Sequence, residues 1–352
     1  MRAIQIVRIG LPATALRLQE CAEPAGGPDR VRIRVAAFGV TYSDLMARTG
    51  MDAESPRLPW IPGQEVAGRV VDDGAGGTRF APGTPVAALT LRGGYAEQVV
   101  AHPDFVVAIP PGMGFAEAAS VPASGSTAWL ALHGLTRVRP GDRVLVHAAA
   151  GGVGLIACQM ALAAGCEVFG TVGSGAKVDF LRRIGVQHPM DHADSDVESE
   201  VARMTGGAGL DLVLDSPRHD TLGADLRMLA SSGRLVIVGA TAAAVAMARG
   251  SDRFASRVRT RVEALDPWAL PAEGKGILGV HLTRTAEARP ALVALALREV
   301  FGMIRSGLVR PHVDSTFDVA DCARAHDRLH GRESIGKVVV LFEGATGTSG
   351  GT

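Results

Sequence analysis

A glycine-rich turn near the middle of the chain is the feature of the sequence best suited to chemistry. Residues 144–165 read VLVHAAAGGVGLIACQMALAAG, which is an apolar strand-like run, a turn of small residues and a helix-like segment. Ala149, Gly151 and Gly154 occupy the three glycine positions of the pattern G-x-G-x-x-G, with alanine at the first. A glycine pattern by itself is weak evidence for a dinucleotide site. Here the evidence is stronger, because a strand-like run precedes the pattern and a helix-like run follows it, as such a site requires.

The chemistry that such a turn supports is the binding of a pyrophosphate. Small residues let the backbone approach the phosphates, which then lie at the positive end of the following helix. We therefore predict a dinucleotide site, the alternative being a turn that serves only packing. The residues predicted to contact the cofactor at the turn are Ala150, Gly151, Gly152 and Val153.

The segment after the next strand-like run indicates which dinucleotide is bound. An NAD enzyme carries Asp or Glu about 20 residues beyond the glycine motif, where it binds the ribose 2′-hydroxyl. Here the segment reads TVGSGAK, in which Ser174 offers a hydroxyl and Lys177 a positive charge, both suited to a 2′-phosphate. We predict NADPH; the alternative is that Ser174 only caps a helix while Lys177 faces solvent. Gly239 and His192 join the predicted cofactor site, although His192 fits an exposed loop equally well.

Composition excludes several other classes of function. The formal net charge is zero, so no basic surface points to nucleic acid. The start of the chain lacks the pattern of a secretory signal, and no run of about 18 apolar residues predicts a membrane span. The cysteines are scattered, which argues against a disulfide framework or a zinc cluster: Cys21, Cys158, Cys166 and Cys322. We expect a cytoplasmic protein that binds neither nucleic acid nor membrane.

The segments that must position these residues show two kinds of sequence pattern. Short apolar runs broken by Pro and Gly predict an irregular β-rich domain over residues 1–123, of the kind that closes as a small barrel. Alternating strand-like and helix-like runs over residues 124–281 predict an α/β domain with a doubly wound parallel sheet. Residues 282–343 are too few for a core of their own and are expected to return to the first domain. Residues 344–352 read as a disordered tail.

Several separated motifs, in order, resemble one known family over nearly the whole chain. The runs VAAFGVTYSDLMARTG, IPGQEVAGRVV, EAASVPASGSTAWLAL, HAAAGGVG and LDPWALPAEGKGILGVHL are similar to the quinone oxidoreductase and VAT-1-like branch of the medium-chain dehydrogenase/reductase superfamily. The resemblance implies a GroES-like irregular barrel beside a Rossmann domain, with the active site in the cleft between them. It also implies a homodimer.

The same resemblance allows a test for catalytic zinc. Zinc-dependent relatives carry Gly-x-Cys-His-[Ser/Thr]-Asp and Gly-His-Glu, and here Thr41 replaces the cysteine and Gln64 the histidine. The four-cysteine lobe of those relatives is also missing. A catalytic zinc needs about three protein ligands, so the loss of two predicts an enzyme without zinc. Without a Lewis acid to polarise an alcohol, we expect hydride transfer to a quinone or to the β-carbon of an enone.

The resemblance places four residues in the active site. Tyr42 could donate a hydrogen bond or a proton to the developing enolate, or could serve only as an aromatic wall of the pocket. Thr41 stands where relatives usually have Asn, and it is assigned with Tyr42 to catalysis, while Gln64 is assigned to the substrate pocket. Thr127 matches the family threonine near the nicotinamide carboxamide; its alternative is a helix residue bonded to its own turn. Asp44 and Glu65 are expected to have structural roles.

Two departures from the family, Thr41 and Pro217, leave a second class of function open. Pro217 and Arg218 alter a loop expected near the cofactor, and residues 242–264 are atypical and are expected to hold the specificity. The competing hypothesis is a non-catalytic NADPH-binding protein of the crystallin or VAT-1 type. An alkenal reductase would differ from the leading hypothesis only in its acceptor.

Overall fold

A computed structural model describes residues 1–52, 55–216, 221–239 and 268–342 of the chain. The strands are β1 (Arg2–Ile6), β2 (Leu16–Glu20), β3 (Val31–Val40), β4 (Glu65–Asp72), β5 (Pro85–Leu89), β6 (Gln98–Ala101), β7 (Val106–Ala108), β8 (Arg143–Val146), β9 (Glu167–Val172), β10 (His188–Asp191), β11 (Leu210–Asp215), β12 (Leu229–Val238), β13 (Gly276–Val280), β14 (Val313–Asp318) and β15 (Lys337–Leu341). The helices are α1 (Pro12–Ala15), α2 (Tyr42–Arg48), α3 (Phe115–Ala119), α4 (Pro122–Trp129), α5 (Gly152–Ala163), α6 (Gly175–Arg183), α7 (Val197–Met204), α8 (Thr221–Met228), α9 (Ala269–Glu273), α10 (Leu282–Ala288), α11 (Pro290–Arg305) and α12 (Cys322–His330).

The chain folds into two compact units. One unit comprises Met1–Ser126 together with the chain from Leu282 onward, and the other comprises Thr127–His281. The predicted tail, Pro217 and Arg218, and residues 242–264 lie outside the described residues. Within the described ranges, no helix is both long enough and apolar enough to cross a membrane.

The unit Thr127–His281 is built on a parallel sheet. Its order over the described strands is β10-β9-β8-β11-β12-β13, and every neighbouring pair is parallel. This is the order of a doubly wound Rossmann sheet, with the switch point between β8 and β11. The apolar strand runs account for it, because Leu145, Phe169, Val213 and Leu235 are completely buried in its core. The predicted doubly wound fold is confirmed.

The other unit is rich in antiparallel strands. Its largest sheet has the order β14-β15-β3-β4-β5-β7 among the described strands, and β6 pairs with β3. Alternating burial along β3 places Val31, Ile33 and Val35 in the core, where Phe38 and Tyr95 stack with ring centroids 4.1 Å apart. The GroES-like β-rich architecture predicted for this part of the chain is confirmed.

One helix ends earlier than its sequence pattern predicts. The run DTLGADLRMLASSG has a helix-like pattern over its whole length, but α8 ends at Met228 and β12 begins at Leu229. Ser232 has a φ of 71°, in the left-handed region, and its backbone N–H donates to the carbonyl oxygen of Gly274 at 2.6 Å. The strand pairing of residues 229 onward therefore overrides the helical pattern.

Candidate functional site

The glycine-rich turn joins the central strand β8 to helix α5. Gly151 is the N-cap of α5 in an extended conformation, and among the described residues no side chain caps the helix. A side chain at Gly154 would press against the carbonyl oxygen of Ala148 and lie 2.9 Å from Cα of Ala149. The glycine thus lets helix α5 start close to strand β8. Helix N-termini of this kind bind phosphate.

The residues assigned to the 2′-phosphate lie at the next two strand ends of the same unit. Ser174 is the N-cap of α6, where its backbone carbonyl accepts from the N–H groups of Lys177 and Val178 at 3.1 Å. Lys177 lies in the first turn of that helix. His192 follows β10, and a Cβ at Gly173 would lie 3.2 Å from its Nε2 atom. The structure therefore brings His192 next to the loop that carries Ser174.

Two further predicted cofactor residues lie elsewhere in the chain. Gly239 follows β12 with a φ of 67°, and a Cβ there would lie 3.9 Å from Oγ of Ser216, which follows β11. Gly239 therefore belongs to the same edge of the parallel sheet as the glycine turn. Thr127 is half-buried on α4.

In the other unit, Thr41 and Asp44 form a capping box at the start of α2. The Thr41 side chain accepts from the backbone N–H of Asp44, and the Thr41 N–H donates to Asp44 Oδ2 at 2.8 Å. Asp44 also accepts from the N–H of Gly63 at 3.1 Å, which fixes the loop before Gln64. These contacts give Asp44 the capping and hydrogen-bonding role expected from the sequence.

A chain of hydrogen bonds occupies the two positions where zinc-dependent relatives place ligands. Thr41 Oγ1 lies 2.7 Å from Ser43 Oγ, which lies 2.8 Å from Gln64 Oε1. The Gln64 amide donates onward to Thr283 Oγ1 at 3.2 Å. Neither a threonine hydroxyl nor a carboxamide is a usual zinc ligand, and both are engaged with neighbouring side chains. The donor set at this position therefore does not fit a catalytic zinc.

The orientation of the Gln64 amide and the protonation of Asp44 depend on each other, because the hydrogen bonds between them share a limited number of protons. The contacts Asp44–Thr41, Thr41–Ser43 and Ser43–Gln64 need three protons when the amide oxygen faces Ser43, but two hydroxyls supply only two. The third must come from a protonated Asp44. If the amide is turned over, its N–H donates to Ser43 and Asp44 is ionised. Burial raises the pKa of Asp44, while hydrogen bonds from Thr41 lower it.

Tyr42 is the first residue of α2 and is held by a contact far along the chain. Its hydroxyl donates to the backbone carbonyl of Leu329 at 3.1 Å, and its ring packs against the core of the unit. A phenol that is already donating to a carbonyl must break that bond before it can give its proton elsewhere. The contact favours Tyr42 as a positioned aromatic wall over Tyr42 as a proton donor.

Glu65 forms a buried ion pair with Lys337, which lies far along the chain. Its Oε1 lies 2.6 Å from Nζ of Lys337, and its Oε2 accepts from the N–H of Ala123 at 2.7 Å. Lys337 also donates to the carbonyl of Val40 at 2.8 Å. Both charged side chains are buried. The sequence offers one hint of this ion pair: Lys337, one of only three lysines in the chain, begins the apolar run KVVVL.

Comparison with known proteins matches both units of the chain. The family described as "Alcohol dehydrogenase GroES-like domain" matches residues 27–124, and the family described as "Zinc-binding dehydrogenase" matches residues 152–260. The quinone oxidoreductase of Sus scrofa is 31% identical over 344 residues, which cover 97% of this chain and 98% of that protein. The pikromycin polyketide synthase component PikAII of Streptomyces venezuelae is 36% identical over 339 residues, covering 92% of this chain. The chain spans only 8% of the length of PikAII.

Solved structures give the same result at the level of the fold. The CurK enoyl reductase has a TM-score of 0.84 and 26% identity, covering 97% of this chain and 99% of that chain. A mycobacterial protein solved in complex with NADPH has a TM-score of 0.82 and 29% identity, again covering 97% and 99%. The similarity therefore extends along nearly the whole of each chain.

Proposed function

This chain belongs to the medium-chain dehydrogenase/reductase superfamily, among relatives of its quinone oxidoreductase branch, and on that premise we propose that it is an NADPH-dependent reductase that works without catalytic zinc. Its acceptor is a quinone or an α,β-unsaturated ketone. The hydrogen-bonded side chains of Thr41, Ser43 and Gln64 carry the proposal, because they leave no zinc donors where the family's dehydrogenases need them. Without a Lewis acid, the acceptor must be electrophilic by itself.

The chain's own residues account for how the cofactor is held. The uncapped start of α5 at Gly152 and Val153 receives the pyrophosphate, and the close approach at Gly154 brings those N–H groups within reach. Ser174 and Lys177 at the start of α6, with His192 beside them, receive the 2′-phosphate. Bound there, NADPH supplies the hydride.

The proposed chemistry leaves few tasks to the side chains. Hydride addition to the β-carbon of an enone leaves an enolate, whose oxygen needs a hydrogen-bond donor. We assign this task to the Thr41 hydroxyl, whose proton must turn from the Asp44 carboxyl to the acceptor oxygen, and the aromatic wall of the pocket to Tyr42. Two relatives support the two acceptor classes: one is named a quinone oxidoreductase and the other an enoyl reductase.

The deciding experiment is NADPH oxidation by chelator-treated protein, followed at 340 nm, a wavelength set by the reduced nicotinamide. The acceptors are a panel of 1,4-quinones and α,β-unsaturated ketones, with NADH as the parallel cofactor. We expect turnover that resists chelation and prefers NADPH. Tight NADPH binding without turnover of any acceptor would contradict the reductase proposal and support a non-catalytic binding protein.

The choice of NADPH over NADH is tested by the substitution Lys177→Ala. Loss of the ammonium should weaken NADPH binding by about tenfold or more and leave NADH binding nearly unchanged, because only NADPH carries the 2′-phosphate. The matched control is Arg183→Ala, which removes a cation from the last turn of the same helix. Equal losses for the two cofactors would refute the role assigned to Lys177.

A further inference from the structure

Three ionisable side chains that the proposed reaction does not use converge at the carboxyl edge of the parallel sheet. His147 directly follows β8, Asp215 ends β11, and Asp225 lies on α8. One donor atom from each lies within 4.8 Å of the other two. Asp215 and Asp225 are almost completely buried, at 2% and 0% exposure, and His147 is half-buried. Within the described residues this is a compact cluster of one imidazole and two carboxylates.

Each carboxylate presents one oxygen that has no hydrogen-bond partner. Thr221 donates to Asp215 Oδ2 at 2.8 Å, while Asp215 Oδ1 is buried without a partner among the described residues. Asp225 Oδ1 lies 2.9 Å from His147 Nε2, while Asp225 Oδ2 is likewise buried and unpartnered in the described structure. A buried polar atom without a partner costs free energy, so each such atom calls for a ligand.

The charges of the cluster call for a cation. Two adjacent buried carboxylates repel each other, and a protonated His147 could offset only one of them. The site therefore favours a bound positive charge, which a shared proton or a metal ion can supply.

The neighbours of these residues hold them as metal ligands are commonly held. His147 Nδ1 lies 2.8 Å from Oγ1 of Thr171, so a proton on Nδ1 donated to that hydroxyl leaves the lone pair on Nε2. The Thr221 hydroxyl likewise fixes the Asp215 carboxylate. Hydrogen bonds of this kind orient metal-binding histidines and carboxylates.

We propose that His147, Asp215 and Asp225 form a binding site for one divalent cation of the Zn²⁺ type. Nε2 of His147, Oδ1 of Asp215 and an oxygen of Asp225 are the ligands, and water completes a tetrahedral set. The imidazole ligand favours Zn²⁺ and its transition-metal neighbours over Mg²⁺ and Ca²⁺, which prefer oxygen ligands alone. The cation neutralises both carboxylates and displaces any proton between them. It ties together the ends of β8 and β11 and the helix α8, next to the glycine-rich turn.

The first test measures binding to the chelator-treated full-length chain. We expect calorimetry to show one equivalent of Zn²⁺ bound, with proton release that appears as a dependence of the heat on buffer ionisation. Co²⁺ as the spectroscopic probe should give the d–d absorption of a tetrahedral nitrogen and oxygen site, without the thiolate charge-transfer band of a cysteine site. Absence of Zn²⁺ binding, or a Co²⁺ spectrum of thiolate ligation, would overturn the proposal and leave a proton shared between the two carboxylates.

Variants then assign the binding to these residues. Asp225→Asn and Thr171→Val should each weaken Zn²⁺ binding by about tenfold or more, since one removes a ligand and the other the contact that orients His147. The control is Asp211→Asn, at the opposite end of β11. Thr171→Val keeps every charge, so it serves if Asp225→Asn does not fold. Binding that is unchanged in both variants would place the cation elsewhere. NADPH turnover is measured separately, so failure of this site does not bear on the proposed reductase activity.

Discussion

At the scale of single residues, His326 makes the stability of the protein depend on pH. The ring is completely buried, and its Nε2 lies 3.1 Å from the hydroxyl of Tyr95. Burial, with the nearby cation of Arg48, lowers the pKa of His326 to about 3. The unfolded chain binds a proton at this histidine near pH 6.5 while the folded chain does not, so stability is full above pH 6.5 and falls as the pH drops toward 3.

The expected loss between pH 7 and pH 5 is about 2 kcal/mol from this residue alone. The substitution His326→Gln keeps a polar group near Tyr95 but cannot titrate, so urea unfolding of this variant should depend less on pH over that range. The measurement is the free energy of unfolding at both pH values for both proteins. Equal pH dependence in the two would show that His326 does not carry the effect.

Residues with a local pattern could be predicted from the sequence, and residues with distant partners could not. The glycine-rich turn follows from a local spacing, and the structure shows it before α5. The structural role expected for Asp44 is a capping box with Thr41, three residues before it. His326 and Lys337 have partners about 230 and 270 residues away, Tyr95 and Glu65. Nothing in a local window marks such pairs, because the fold alone brings them together.

At the scale of elements, the start of α2 depends on the Thr41 side chain. The substitution Thr41→Val keeps the shape but removes the hydroxyl that caps the helix and contacts Ser43. We expect a loss of about 1 to 2 kcal/mol in the free energy of unfolding, from the missing cap and the unpaired neighbours. Thr41→Ser keeps the hydroxyl and should lose much less. Chemical unfolding of both variants provides the comparison, and equal losses would mean that the methyl group, not the cap, matters.

Strands with a strongly apolar sequence can be predicted from that sequence, and strands without one cannot. The strands β8, β9 and β11 carry the near-continuous apolar runs VLVHA, EVFGTV and LDLVLD, a pattern that is typical of buried parallel strands. The strand β10 reads HPMD, which has no such signature, and pairing with β9 alone makes it a strand. Tertiary pairing also placed the boundary between α8 and β12, which the local pattern misplaced.

At the scale of the whole molecule, one unit is assembled from both ends of the chain. The strand β15 pairs with β14 in parallel and with β3 in antiparallel orientation, so the end of the described chain lies within the sheet rather than beside it. The ion pair between Lys337 on β15 and Glu65 on β4 joins these distant segments across the core. Closure of this unit must therefore wait for the last strand, which raises the loop-closure cost of folding it.

Loss of the ion pair between Lys337 and Glu65 should destabilise one of the two units and not the other. Lys337→Met should cost about 3 to 5 kcal/mol, because it leaves the buried Glu65 carboxylate without its partner. The double variant Glu65→Gln with Lys337→Met should cost less than Lys337→Met alone, since no buried charge remains and the amide can still accept from the N–H of Ala123. Hydrogen exchange should show the loss in β3, β4 and β15, with the parallel sheet of Thr127–His281 protected as before. A uniform loss over both sheets would instead mean that the chain unfolds as a single cooperative unit, and a double variant as unstable as the single one would mean that packing rather than charge holds Lys337 in place.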